Sequence, residues 1–357
     1  MRNTREINVG GVKIGGSNPV SIQSMTNTKT ADVEKTVEQI RRLSDTGCSV
    51  VRVAVPDEES AAAIERIKNK ISIPLVADIH FDYKLALMCM ERGIDKIRIN
   101  PGNIGDPARV KAVADMARTK RIPIRIGVNS GSVEKDLLEK HGRAAPASLI
   151  ESAERHIKLL NDADFDDIVI SVKASGVTDT IAAYRLADEK FKYPLHLGIT
   201  ESGTMRQGIV KSSIGIGSLL ADGIGDTVRV SLTADPVEEI KAAKLILKSL
   251  DLYSNGFDVI SCPGCGRCNI DIIGIAEAVS DGLSALEHKL TDGQIIKVAV
   301  MGCVVNGPGE AKSADIGVAG GDKCAVLFKK GEVCGKIEER DIVSVLLAET
   351  ENLISAV

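Results

Sequence analysis

The stretch SCPGCGRC at 261–268 holds three of the chain's eight cysteines, each separated from the next by two residues. Cys262 and Cys265 have the C-x-x-C spacing that chelates a metal or a cluster, and Cys303 stands apart in MGCVVNGPGE at 301–310. Zinc ribbons usually contribute two C-x-x-C pairs, and no second pair exists here, so zinc is the weaker reading. Iron–sulfur clusters take thiolates from a close pair plus distant residues, and nearby Gly and Pro let backbone N–H groups approach the sulfides. Both cysteine loops are rich in Gly and Pro, and the pattern favours a cluster. Cys268 extends the run to C-x-x-C-x-x-C, part of the bacterial ferredoxin arrangement. Cys48 and Cys89 lie on helical patterns among small apolar residues, where a thiol behaves as a core hydrophobe. Cys324 and Cys334 fall in an apparent hairpin, where they either pack or face each other.

A second set of chemically capable residues lies inside β-rich runs. Arg52, Asp78 and His80, Arg98 and Asn100, Arg125 and Asn129, Ser171, Lys173 and Ser175, and Arg229 and Ser231 alternate with Val, Ile or Leu. Side chains on a strand alternate faces, so within each run the polar groups share one face. Burying an unpaired charge is costly, and inward carboxylates are too few to neutralise four Arg and one Lys. An anion among them is the consequence. Arg suits bidentate recognition of phosphate oxygens, so the expected ligand carries at least one phosphate. The Gly-rich GIGSLLADGIGD at 215–226 offers backbone N–H groups where barrels often bind phosphate.

The elements that must position these groups are legible in the same alternation. Eight strand-like runs begin near residues 20, 49, 74, 95, 123, 167, 195 and 226, with helical patterns such as ADVEKTVEQIRRLSDTG (31–47) between them. Eight βα units in a row predict a closed parallel (β/α)8 TIM barrel, and none of the βα turns shows a G-x-G-x-x-G fingerprint. The predicted barrel spans 1–250, a polar linker follows at 251–258, and 259–357 form a small α+β domain carrying the cysteine loops. At 357 residues the chain is long enough for a barrel and one smaller domain. Net charge is −4, aromatic residues make up 3%, and Trp is absent, which argues against a nucleic-acid partner. No signal peptide or membrane span is visible, so a cytoplasmic location is expected, and there clustered cysteines are read as ligands before disulfides.

The motifs SIQSMTNT (21–28), VADIHFD (76–82), RINPGN (98–103), RIGVNSGS (125–132), GITESG (198–203), SCPGCGR (261–267) and MGCVVNGPGE together resemble the 4-hydroxy-3-methylbut-2-enyl diphosphate synthase family over essentially the whole chain. The resemblance implies reductive ring opening of 2-C-methyl-D-erythritol 2,4-cyclodiphosphate to (E)-4-hydroxy-3-methylbut-2-enyl diphosphate and water, in isoprenoid biosynthesis. It implies a 4Fe-4S cluster on Cys262, Cys265, Cys303 and Glu310, and two electrons from ferredoxin or flavodoxin. Arg52, Arg98, Arg125, Lys173 and Arg229 would clamp the diphosphate, with Asp78, His80, Asn129 and Ser231 adding hydrogen bonds. Glu201 would give the departing hydroxyl its proton, and Asn306 would reach the substrate on closure. A homodimer is implied, one subunit's cluster domain covering its partner's barrel. Cys268 departs from the family, which commonly has threonine or another small residue there, and is expected to be a bystander. Rival readings are a pterin- or aldol-type barrel with a structural zinc domain, and a non-catalytic iron–sulfur carrier or sensor.

Overall fold

The computed structural model describes residues 4–174, 176–291, 293–304 and 312–355. The chain divides into two compact units, Met1–Tyr253 and Ser254–Val357, each with its own apolar core.

The first unit opens with a hairpin that the strand alternation did not predict, β1 (Ile7–Val9) and β2 (Val12–Ile14). Gly10 and Gly11 turn it with φ of 55° and 100°, the left-handed pair that a two-residue hairpin loop requires. Eight parallel strands follow: β3 (Ser21–Met25), β4 (Val50–Ala54), β5 (Leu75–Asp78), β6 (Lys96–Ile99), β7 (Ile124–Asn129), β8 (Ile168–Lys173), β9 (His196–Leu197) and β10 (Thr227–Val228). Their order is β8-β7-β6-β5-β4-β3-β10-β9, and a parallel bridge between Ile170 and Leu195 joins the two ends, so the sheet is a closed barrel. This is the (β/α)8 barrel expected from the alternation. Its helices bury Val, Ile, Leu and Ala against the outward strand positions, as Val33–Asp45 does with Val33, Val37, Ile40 and Leu43. Asp32 and Asp57 cap the first two helices through their side chains, which fixes where each strand-to-helix turn ends.

Register then assigns the barrel interior. Partner residues on parallel strands share a face, and four inward residues from alternate strands make a tier. The lowest full tier is Val50, Lys96, Val169 and Thr227, and the next is Gln23, Val76, Arg125 and His196. Above them come Arg52, Arg98, Ser171 and Arg229, then Met25, Asp78, Gly127 and Gly198, with Lys173 and Ser231 above those. The hairpin's Ile7, Val9 and Ile14 pack with Val50, Val76 and Val169, so β1 and β2 plug the bottom of the barrel.

In the second unit, β11 (Gly256–Ser261), β12 (Ile295–Met301) and β13 (Ile316–Gly320) run parallel, and β14 (Cys324–Lys329) and β15 (Glu332–Glu338) add an antiparallel edge. Helices Ile272–Leu286 and Ile342–Ser355 cover one face of this sheet. The stretch read as a linker ends in structure: β11 starts at Gly256, because Phe257 is buried in the second core. Among the described residues no helix is long and apolar enough to cross a membrane.

Candidate functional site

The tiers from the second upward bring the sequence-predicted cations together. Arg98 donates to Asp78 at 3.0 Å, and Arg52 lies 3.7 Å from the other oxygen of the same carboxylate. Burial acts to raise the Asp78 pKa, yet Arg52, His80 and Arg98 outweigh it and hold the carboxyl well below the usual carboxylate range. His80 follows β5 at the open end, half exposed, with Nε2 3.7 Å from Asp78 and 3.2 Å from Arg98. Arg52 also donates through Nε and Nη2 to Met25 Sδ at 3.1 and 3.0 Å. A thioether is a weak acceptor and adds no negative charge to that of Asp78. Burial, offset in part by Asp78, lowers the Arg52 pKa to about 10.

Arg125 and Lys173 are the least compensated of the predicted set. They are buried at 1% and 5% exposure, and neither has a carboxylate partner among the described residues. Burial first, then mutual repulsion, pushes both pKa values well below their ordinary range: Lys173 feels Arg125, Arg229, Arg52 and Arg98, and Arg125 feels Arg52 and Arg98. Two glycines make room for this crowding. A Cβ on Gly127 would lie 2.5 Å from Arg98 Nε, and one on Gly198 would lie 2.6 Å from Lys173 Nζ. Arg229 lies 3.5 Å from Glu239, a buried carboxylate on the helix Pro236–Lys248 that also accepts from Ser24 and the Leu232 N–H.

Asn129 ends β7 opposite Lys173, and the Ser231 carbonyl accepts from the Ser202 hydroxyl. Glu201 stands beside Ser202 in the loop after β9, exposed, with no ion pair among the described residues and a left-handed φ of 53°. A non-glycine residue held there is a strained position of the kind that clusters at active sites. Sequence reading missed Met25, Lys96 and His196, although Lys96 continues the alternation of Arg98 and Asn100 by one step. It also misassigned 215–226. That stretch is the C-terminal half of the helix Met205–Ala221 and the loop into β10, at the plugged end, and Gly215 and Gly225 admit the side chains of Ile199 and Leu197.

In the second unit Cys262 follows β11 and Cys303 follows β12, at the carboxyl ends of neighbouring parallel strands. The Gly302 N–H donates to Cys262 Sγ at 3.2 Å, and a Cβ on Gly302 would lie 2.5 Å from Cys268 Sγ and 3.5 Å from Cys262 Sγ. Cys265 is exposed, and its carbonyl accepts from the Cys268 N–H at 2.9 Å. Among the described residues no three His, Cys, Asp or Glu side chains converge at metal-binding distance. Glu310 and Asn306 lie outside the described residues. The donor set still fits a thiolate-held cluster: soft ligands on two Gly-rich loops, with a backbone N–H already aimed at one sulfur. None of the eight cysteines forms a disulfide; burial pushes Cys48 and Cys89 up to about 12, which leaves them inert packing groups. Cys324 pairs with Glu338 across the hairpin and Cys334 is exposed at its irregular end, so the two do not face each other.

Residues 4–244 match a family model described as the GcpE TIM-barrel domain, and residues 258–352 one described as the GcpE protein C-terminal domain. The chain belongs to the GcpE family. A relative from Clostridium tetani (strain Massachusetts / E88) is 55% identical over 352 residues, covering 99% of each chain. One from Caldanaerobacter subterraneus subsp. tengcongensis is 56% identical over 351 residues, covering 98% of this chain and 97% of the relative. Both are named 4-hydroxy-3-methylbut-2-en-1-yl diphosphate synthase (flavodoxin). Like these relatives, this GcpE chain is an enzyme. Among solved structures, dihydropteroate synthase from Stenotrophomonas maltophilia matches with a TM-score of 0.51 at 14% identity, over 70% of this chain and 98% of that one. At that identity the likeness concerns the barrel fold alone.

Proposed function

We propose that this GcpE enzyme opens 2-C-methyl-D-erythritol 2,4-cyclodiphosphate reductively, giving (E)-4-hydroxy-3-methylbut-2-enyl diphosphate and water with two electrons drawn from flavodoxin or ferredoxin. The observation that carries the reading is the charge imbalance of the barrel. Arg52, Arg98, Arg125, Lys173 and Arg229 stand against two buried carboxylates among the described residues, Asp78 between Arg52 and Arg98 and Glu239 beside Arg229. A cyclic diphosphate brings the missing negative charge, and its oxygens suit the forked guanidinium donors. Binding it would oppose the burial and repulsion that lower the pKa of Lys173 and Arg125, so the cations favour this class of anion.

Cys262, Cys265, Cys303 and Glu310 would hold a 4Fe-4S cluster, which supplies electrons and a Lewis-acidic iron when bound. The chain's own side chains do the rest. Arg52 and Arg98, fixed by Asp78 between them, orient the phosphates; Lys173 and Arg229 close over the ring; Asn129, His80 and Ser231 bond its hydroxyls. Glu201, in the loop after β9, gives the leaving hydroxyl its proton. Asn306 joins when the site closes. We read the working form as a cytoplasmic homodimer in which a partner's cluster domain completes the barrel site; anaerobic sizing that found only an active monomer would remove this part.

The competing barrel-plus-zinc reading is separated by iron, sulfide and zinc analysis of anaerobically purified protein. Iron and acid-labile sulfide in near equal amounts support the proposal, and stoichiometric zinc overturns it.

A further inference from the structure

Below Arg52, Arg98, Lys173 and Arg229 lies a polar region in which Arg125 alone belongs to the proposed substrate set. Lys96 and His196 are fully buried, Gln23 and Arg125 are 1% exposed, and Thr227 is fully buried. They come from five strands, all at inward register positions in the two lowest full tiers. Lys96 Nζ, Arg125 Nε, both amide atoms of Gln23, both ring nitrogens of His196 and Thr227 Oγ1 have no hydrogen-bond partner among the protein groups. Buried polar atoms in native proteins are nearly always satisfied, so a set this concentrated calls for a guest. In the same two tiers Val50, Val76 and Val169 are apolar and pack on the hairpin plug beneath.

We propose that these two tiers enclose a second, buried anion site taking one small inorganic anion of halide size, held by Lys96, Arg125, Gln23, His196 and Thr227. Charge favours an anion over water. Two buried cations meet here with no carboxylate of their own, since Asp78 sits above and is engaged by Arg98 and Arg52. Hydrogen-bond chemistry points the same way. Each of the five side chains can present an N–H or O–H to one acceptor-only guest; Gln23 Oε1 and the unprotonated His196 nitrogen are acceptors and take no part in holding it. Burial, then the Arg125 and Arg52 charges, pushes the Lys96 pKa down to about 7, and an anion in contact opposes those causes. The site shares Arg125 with the diphosphate reading but is tested apart from it, because its occupant is read without turnover.

The test is crystallisation with bromide as the only halide and diffraction at the bromine edge. An anomalous peak in contact with Lys96 and Arg125 is expected in the wild-type protein and is lost in Lys96→Met, which keeps the stem and removes the charge. In parallel, the wild-type Tm should rise with bromide at fixed ionic strength, and Thr227→Val, which keeps both cations, should need roughly tenfold more bromide for the same rise, the equivalent of one hydrogen bond. Ordered water without anomalous signal in these tiers, or the same bromide dependence in wild type and Thr227→Val, would overturn the proposal.

Discussion

The guanidinium of Arg98 lies across Gly127, so close that a Cβ there would come within 2.5 Å of Nε and 2.8 Å of Nη2. The neighbouring strand β7 therefore has to be bare at that point for the Arg98 guanidinium to lie there while it donates to its register partner Asp78 on β5. Gly127 is not in a left-handed conformation, so alanine there tests the space and nothing about the backbone.

Gly127→Ala should displace Arg98 and weaken binding of the cyclic diphosphate by roughly tenfold to a hundredfold, the loss of one charge-assisted hydrogen bond at about 1.5–3 kcal/mol. Calorimetric titration without an electron donor reads this directly. Unchanged affinity would show that Arg98 does not contact the ligand.

Asp78→Asn should destabilise the barrel by about 3–5 kcal/mol at neutral pH, because it leaves Arg52 and Arg98 buried without their carboxylate. The folded-state pKa of Asp78 is depressed, so its contribution is complete above the unfolded value of about 4 and fades as pH falls toward the folded value. The difference in Tm between wild type and variant should thus be widest above pH 5 and narrow below pH 4. A gap that widens on acidification would contradict the assignment.

Glu201 joins a functional expectation to a backbone cost. Glu201→Gln should lower turnover by roughly a hundred- to ten-thousand-fold with substrate affinity retained, the usual scale for a lost proton donor. Glu201→Gly should be equally slow yet more stable by about 1 kcal/mol, since glycine adopts the observed φ of 53° freely. Loss of stability in the glycine variant would mean that the carboxylate is structural.

Cys265→Ser should abolish iron and sulfide incorporation, whereas Cys268→Ser should retain both with an unchanged electron paramagnetic resonance spectrum of the reduced protein. Cys268 nevertheless lies nearer to the Gly302 position than Cys262 does. Iron loss on Cys268→Ser, with Glu310→Ala unaffected, would transfer the fourth ligand to this thiol.

Most of the barrel was legible because its strands alternate strictly: RIN in β6 and RIGVN in β7 declare which side chains point inward before any contact is known. The lower tier escaped because Lys96 and His196 stand at the first residue of their strands, where a polar residue reads equally well as the end of a loop. The hairpin Ile7–Ile14 escaped because strands of three residues carry too little alternation to register, and β13 because IGVAG is buried along its whole length and shows none. The Gly-rich stretch at 215–226 misled for a different reason. Glycine near a barrel strand can admit a phosphate or a neighbouring side chain, and only the three-dimensional neighbours Ile199 and Leu197 distinguish the two.

The reduction itself is tested by following phosphorus. Anaerobic protein loaded with iron and sulfide, given the cyclic diphosphate and a counted supply of reduced flavodoxin, should convert the ring resonances in the phosphorus-31 spectrum into those of an open-chain diphosphate, with two electrons consumed per ring opened. Recovery of the cyclic diphosphate unchanged, or ring opening that consumes no electrons, would contradict the account.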